Sequence, residues 1–569
     1  MALTTPPIVE SVVIDGVTCF WVDSDRPSLT AVLRFGFGYA HEPFNEAGWQ
    51  HLIEHLCLHG RDQGILDING LVDPYVTEFI AHGRPAEVVE HFHQVIAWLN
   101  RPDFGDLDVE RRVLRAESGG MGGGPVARAA LTRWGPVGTG LRAFDEPGLA
   151  TATPEGLQAR IADVFTTANA VMFFDGPVPD GLRLGLPSGV RTATPTFTPV
   201  ETFPAQYVDP VLVLSGEVST RPGGMLALEY LERGLTQLLR HDTGATYEVH
   251  SDPADLLPDR LVLTLGADLA DGTATNIVQA TIAWLDAQLT APVDQAAVDV
   301  LREKRRRAIL EETNTIWLAG AAARDHLDGI TPETREEMIA RLDSVTAADV
   351  RDRLQEFRAT LLIGAPETAG RADTIDLLEA GMVEVEPPGT RWWTHANAPL
   401  DTTRLGLAAG AVVTDLGHQI RVWPVESLHA VLIHRGVHGG REQEQWRFID
   451  RAGYGFSFSV GAYPAEEVRD FLTRQLPASA FVPTEDPIDD FEPVGWFGRL
   501  IGGWSQWAGR LTGSVFWTLM ILLAAAALAL GAWMSDGLGI ARGVGWTLQV
   551  GTGVFIVASR ALRASYRNG

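Results

Sequence analysis

The same short unit closes two stretches of this chain, and that repetition limits the architecture more than any other feature. TATPEGLQARIADVFTTANAVMFFD at 151–175 reads as a helix followed by a strand. SVTAADVRDRL at 344–354, followed by Thr360-Leu-Leu-Ile363, reads the same way. What precedes each is also alike. A strand region at 8–37 leads to helices near 46–60, 85–100 and 106–118. Val211-Leu-Val-Leu214 leads to a helix near 222–241, strands at 245–267 and helices within 272–344. Strands and helices in this order must cover one face of a sheet with a helix layer, so the expected fold class is α+β, built as two duplicated layer halves over 1–200 and 201–366.

Composition excludes several functions. The 569 residues carry 45 Lys+Arg against 72 Asp+Glu, a formal net charge of −27. A surface so acidic is unsuited to holding nucleic acid, whose affinity comes from neutralised phosphates. Two cysteines, Cys19 and Cys57, make neither a disulfide framework nor a Cys-based zinc ribbon. Arg302-Glu-Lys-Arg-Arg-Arg307 lies on an expected helix and reads as a solvated face.

Beyond residue 366 the text changes. Residues 367–404 read as a linker, and 405–480 as short alternating strands closed by a helix near 466–475. This small β-rich stretch resembles the pleckstrin-homology-like domains of bacterial membrane proteins. PTEDPIDDFEP at 483–493 is an acidic, Pro-rich linker. With the stripe of Trp496, Phe497, Leu500, Ile501, Trp504 and Trp507 it makes 481–510 a linker and interfacial helix. Residues 511–534 (LTGSVFWTLMILLAAAALALGAWM) contain no charge and are long enough to span a bilayer core of roughly 30 Å. A weaker apolar, Gly-rich span follows at 543–559, so 511–562 reads as a two-helix transmembrane hairpin in the lipid bilayer. Arg499, Arg510, Arg560, Arg563 and Arg567 flank the spans, which places both ends in the cytoplasm. The N-terminal MALTTPPIVESVVIDG has no basic region and no apolar run, so no cleavable signal is expected.

The chemistry is concentrated in His51-Leu-Ile-Glu54-His55. On a helix, residues i and i+4 share a face, so two imidazoles can converge on one metal, with Glu54 beside them as a base for water. This is HxxEH, the inverse of the commoner HExxH zinc motif. A pair of core histidines is the other reading. Zinc hydrolases need a third protein ligand. Glu110 and Glu117, in Glu110-Arg-Arg-Val-Leu-Arg-Ala-Glu117, lie seven apart on one helical face. Glu117 is the candidate third ligand and Glu110 the carboxylate supporting a ligand, against the alternative of a solvated acidic face. GGMGGG at 119–124 lacks the Lys-Ser/Thr ending of a phosphate loop.

Gly48-Trp-Gln-His51-Leu-Ile-Glu54-His55, followed by Glu110 and Glu117, resembles the pitrilysin/insulinase family of zinc metallopeptidases, which includes the mitochondrial processing peptidase. Thr30-Ala-Val-Leu-Arg-Phe-Gly-Phe-Gly38 is similar to the family's first strand, and Leu99-Asn-Arg-Pro-Asp-Phe104 to its "NPxF" helix end. Leu239-Arg240-His-Asp-Thr-Gly244-Ala-Thr-Tyr247 is similar to its "LRexxGlaY" segment. The resemblance covers about 8–366. It implies Zn2+ held by His51, His55 and Glu117, with Glu54 as general base and Arg240 and Tyr247 on the substrate backbone and oxyanion. It implies peptide or unfolded polypeptide as substrate, and a homodimer, since shorter members pair two chains to close a chamber. Three departures stand out: a short gap from His55 to Glu117, a Gly-rich break after Glu117, and a faint substrate-pairing edge strand, placed around Tyr75-Val-Thr77-Glu-Phe79. The expectation is a membrane-anchored zinc endopeptidase at the cytoplasmic face of the cell membrane. The alternatives are a catalytically inactive scaffold of the same fold and a membrane-tethered interaction module.

Overall fold

The computed structural model describes residues 9–484, apart from 23–26, 61–65, 119–123, 258, 271–275, 312–314, 379–381, 384–385, 395–402, 418–419, 439–440 and 460–465. The two apolar spans and the Trp-rich stripe lie outside the described residues. Among the described residues no helix is long and apolar enough to cross a membrane. The chain forms two compact units, residues 1–379 with 450–454, and the remainder from 380 onward.

The first unit contains the duplication. Its first half runs β1 (Val9–Ile14), β2 (Val17–Val22), β3 (Leu29–Phe35), α1 (Trp49–Leu58), β4 (Asp67–Val72), β5 (Thr77–Gly83), α2 (Pro85–Asn100), α3 (Leu107–Ser118), α4 (Pro125–Trp134), α5 (Pro154–Val164) and β6 (Ala170–Phe174). The second runs β7 (Ala205–Val208), β8 (Leu212–Ser219), α6 (Gly224–Thr236), β9 (His250–Leu257), β10 (Arg260–Ala267), α7 (Ile277–Thr290), α8 (Gln295–Glu311), α9 (Thr315–Leu327), α10 (Arg335–Ser344), α11 (Ala347–Ala359), β11 (Leu362–Ala365) and β12 (Asp376–Leu377). The sheets are ordered β1-β2-β6-β3-β5-β4 and β12-β7-β11-β8-β10-β9. Position by position five of the six strands correspond, from the parallel pair at β2–β6 and β7–β11 through the antiparallel neighbours beyond it. The outermost strand differs. In the first half it is β1, antiparallel, and in the second it is β12, parallel.

The closing units fold for local reasons. Thr153 caps α5 through its hydroxyl to the Gly156 N–H, and Pro154 occupies the first helical position. Thr346 caps α11 the same way, with Asp349 completing a capping box. Each helix delivers a strand buried along its whole length, β6 and β11, into the middle of its sheet.

One face of the first sheet buries Ala31, Leu33, Phe35 and Phe79 beneath α1, α2 and α5. The alternate residues Val32, Val171 and Phe173 point the other way and meet Leu318, Ala319, Ala322 and Ala323 of α9, which belongs to the second half. The converse also occurs. α4 of the first half packs against β8, β10 and β11. Its Arg133, fully buried, donates from one guanidinium nitrogen to the carbonyls of Ser215 (2.8 Å) and Thr360 (2.9 Å) and from the other to Glu217 (3.3 Å). Each half thus lends its fourth helix to the other's sheet. A cavity of about 710 Å3 remains between, lined from both sheets by Arg34, Glu78, Ser215 and Thr264, and by Trp317 and Arg324 of α9.

The second unit holds two sheets. β13 (Met382–Val383), β14 (Arg391–Thr394), β15 (Arg404–Ala408), β16 (Ala411–Asp415) and β17 (Ile420–Pro424) are ordered β13-β17-β16-β15-β14. β18 (Leu428–His438), β19 (Arg441–Asp450), β20 (Gly455–Ser459), α12 (Glu466–Gln475) and β21 (Phe481–Thr484) give a sheet ordered β20-β19-β18-β21. The Trp423 ring meets Phe448 edge-on at 5.2 Å, which joins the two sheets. The stretch 367–404 is therefore not a plain linker, since β12, β13 and β14 lie in it. Strands of two to four residues carry too little alternation to stand out in sequence.

Candidate metal centre

The helix that carries the motif, α1, begins at Gly48, whose φ of 98° is open to glycine at little steric cost. Its first turn is capped by Glu42, a fully buried carboxylate that accepts from the N–H groups of Gly48 (2.9 Å) and Gln50 (2.7 Å). Negative charge at a helix N-terminus is favourable, and two otherwise orphaned donors are satisfied. Arg160 reaches Glu42 at 3.2 Å and also pairs with Glu46. Burial nevertheless pushes the Glu42 carboxyl up to about 7, against the Arg160 charge and the two N–H groups.

Along α1, Leu52, Ile53, Leu56 and Cys57 go into the core. His51 and His55 lie on the other side, half-buried, with ring centroids 4.8 Å apart. The Nε2 atoms of His51 and His55 lie 3.9 and 3.8 Å from the same oxygen of Glu54, Oε2. Glu117, exposed near the end of α3, brings Oε2 to 3.5 Å from His55 Nε2. One ligand atom from each of His51, His55 and Glu117 lies within 4.8 Å of the others.

The far sides of both rings are held. His55 Nδ1 meets Glu110 Oε2 at 3.0 Å, and His51 Nδ1 meets Glu146 Oε1 at 2.7 Å. With Nδ1–H donated to a carboxylate, each Nε2 keeps a lone pair directed at the common point, the usual arrangement of metal-ligating histidines. Two neutral imidazoles and a carboxylate are the donor set of a catalytic zinc site with an open position, so the residues fit the metal that the sequence implies. Glu110 is buried and its second oxygen pairs with His59 Nδ1, while His59 Nε2 lies 3.6 Å from Asp106.

Glu54 is 5% exposed. Burial raises its pKa above the ordinary carboxyl value, partly offset by His55 and His51 and reinforced by Glu117 and Glu110. Burial lowers that of His51, but the hydrogen bond and charge of Glu146, with Glu54 and Glu117, outweigh it and the net shift is upward. Glu54 lies against β4. A Cβ built on Gly70 would sit 1.6 Å from Glu54 Oε1, so only glycine admits the carboxylate there. Among the described residues β4 pairs with β5 alone and is the edge of its sheet. This corrects the sequence placement of the edge strand at 75–79, which falls on the turn and on β5. DINGLV is half-exposed and poor in strand-forming residues, and so gave no strand signal.

Arg240 and Tyr247 are brought to one another. Arg240 lies within a π-helical turn (Gln237–Asp242) after α6, and its guanidinium lies 4.9 Å from the Tyr247 ring centre. Both are exposed, Tyr247 by 79%, and the side-chain partners described for His51 and His55 all come from the first half. Glu42, Gly70, His59 and Glu146 escaped the sequence reading. His59 extends the four-residue spacing of His51 and His55 and was the one legible signal among them.

No protein-family model and no curated protein matches the chain. Solved structures do match its fold. A putative M16-like peptidase from Alicyclobacillus acidocaldarius aligns with a TM-score of 0.51 at 14% identity, covering 64% of this chain and 100% of that one. The inactive domain of an M16 peptidase from Pseudomonas fluorescens gives 0.52 at 13% identity, covering 65% and 100%. Pitrilysin gives 0.50 at 14% identity, covering 64% of this chain and 45% of its own. The duplicated α+β unit thus resembles the halves of pitrilysin-like M16 peptidases, a fold that occurs in peptidases and in an inactive domain alike.

Purified protein is expected to carry about one zinc per chain, and His55→Ala to lose it, measured by elemental analysis. Because His51 must be neutral to ligate and its pKa is raised, zinc affinity should fall as pH is lowered through that pKa. Full zinc retention by His55→Ala would exclude the site.

Proposed function

We propose that this protein is a zinc-dependent endopeptidase of the HxxEH type that hydrolyses short or unfolded peptides. The observation that carries the reading is the convergence of both Nε2 atoms, Glu117 and the buried Glu54 on one point. When bound by His51, His55 and Glu117, zinc supplies Lewis acidity toward a water and the scissile carbonyl. Glu54 takes the proton of the attacking water and returns it to the leaving amine, and its raised pKa suits a base that must also act as an acid. The open edge of β4, with Gly70 against Glu54, offers backbone N–H and C=O groups to an extended peptide. Glu54→Gln should keep the zinc and lower peptide hydrolysis by at least about a hundredfold. An unchanged, chelator-sensitive rate would assign the proton transfer elsewhere. Wild-type protein that neither binds zinc nor cleaves would leave only the inactive scaffold.

The proposed assembly is a homodimer in which Arg240 and Tyr247 of one chain face the metal of the other. Two observations favour it. The pair is exposed, and among the described residues none of the side-chain partners of His51 and His55 belongs to it, while none of His51, Glu54, His55 or Glu117 lines the cavity between the halves. Mixing Glu54→Gln with Tyr247→Phe and allowing subunits to exchange should restore part of the activity, since one mixed site is intact. No recovery despite demonstrated exchange would place both residues on one site in cis.

The proposed location is the cytoplasmic face of the cell membrane, through residues 511–562. The uncharged run and its flanking arginines support it. Truncation after Ala508 should move most of the protein to the soluble fraction. A C-terminal reporter active only outside the cytoplasm would reverse the topology.

A further inference from the structure

Glu146 stands 95 residues from His51 in sequence, on a segment between α4 and α5 that the HxxEH text says nothing about, yet it makes the shortest contact to either histidine. Its backbone is unusual. Glu146 has φ 47° and ψ 61°, the left-handed region that disfavours any residue with a Cβ, and Pro147 follows it, which further restricts the residue before. Strain of this kind persists only where the surroundings over-determine it, and it collects at functional sites.

The surroundings here do so. The Gly148 N–H donates to the Ala47 carbonyl at 2.9 Å, and the Trp49 indole N–H donates to the Gly148 carbonyl at 2.9 Å. The Thr151 hydroxyl donates to the Asn45 carbonyl at 2.6 Å. Residues 146–151 are thus laced to the entrance of α1. Gly48 is what allows the approach, because a Cβ there would lie 2.6 Å from the Glu146 Cβ. With all this in place Oε1 meets Nδ1, as Glu110 does for His55 from the other side.

We propose that Glu146 is a positioning residue that fixes the tautomer and ring orientation of His51, so that zinc affinity is set in part by the segment joining α4 to α5. The inference rests on the zinc reading above and goes beyond it, since nothing in the HxxEH and Glu110/Glu117 pattern points to Glu146. It also accounts for the strain, which places a carboxylate rather than stabilising the fold.

The test measures zinc affinity by chelator competition and the melting temperature of the metal-free protein, for wild type, Glu146→Ala, Glu146→Gln and Glu146→Gly. Losing such a partner weakens metal binding by roughly 10- to 100-fold, and that is expected for Ala and Gly. Gln, whose amide carbonyl still accepts from Nδ1–H, should lose less. The Gly variant should melt, without metal, no lower than wild type, because glycine takes the left-handed backbone freely. Zinc affinity unchanged in the Ala and Gly variants would overturn the proposal. So would a loss of affinity accompanied by a lower metal-free melting temperature in the Gly variant, which would make Glu146 a structural tie. Wild type that binds no zinc removes the metal reading itself, whereas wild type and all variants binding alike removes only this inference.

Discussion

A helix with a hydrophobic core on one side and two imidazoles on the other must be fixed in rotation, not merely in place. For α1 the buried Glu42 does this by accepting from the N–H groups of Gly48 and Gln50 at the helix start. A turn of one residue about the axis, about 100°, would carry His51 and His55 off their face and break both hydrogen bonds. The core residues Leu52, Ile53 and Leu56 oppose the same rotation from below. A carboxylate buried in this way is costly unless its lone pairs are used, and the two N–H groups together with Arg160 use them.

Around that helix the charges have distinct duties because their solvent exposure differs. Glu110 and Glu146 each give an oxygen to an imidazole nitrogen, and Glu110 gives its other oxygen to His59. Glu117 is exposed and able to adjust to an incoming ion. Glu54 is buried against Gly70, with both imidazole Nε2 atoms within 4 Å of one of its oxygens. The four carboxylates around the two imidazoles therefore do not act as one acidic patch.

Much of this was legible in the sequence, and the divide follows sequence separation. The four-residue spacing of His51 and His55 and the seven-residue spacing of Glu110 and Glu117 are properties of single helices, so periodicity reveals them. The closing units were visible because Thr153 and Thr346 cap helices that run straight into apolar strands. Glu146 was hidden because its role depends on a tertiary approach permitted by Gly48, and no local pattern marks that. β4 was hidden because Asp67, Asn69 and Gly70 suit an open edge and a close carboxylate better than strand formation. The exchange of α4 and α9 was hidden for a similar reason. Both helices are ordinary in sequence, and which sheet they cover is decided by side chains such as Arg133 and Phe173 that meet partners far along the chain.

That exchange also bears on how the two halves can move against one another. Two domains joined by a simple tether can swing apart like a clamshell, with the hinge in the tether. Here α4 and α9 cross in opposite senses, and α4 is pinned on the far sheet by a guanidinium whose burial, against the Glu217 charge, lowers its pKa to about 10, leaving it charged near neutrality. Any swing would have to pull that charge out of its carbonyl cradle and strip α9 from its apolar bed in the same motion. The two halves of one chain are therefore held by two crossings rather than by a tether, and separating them would break both at once.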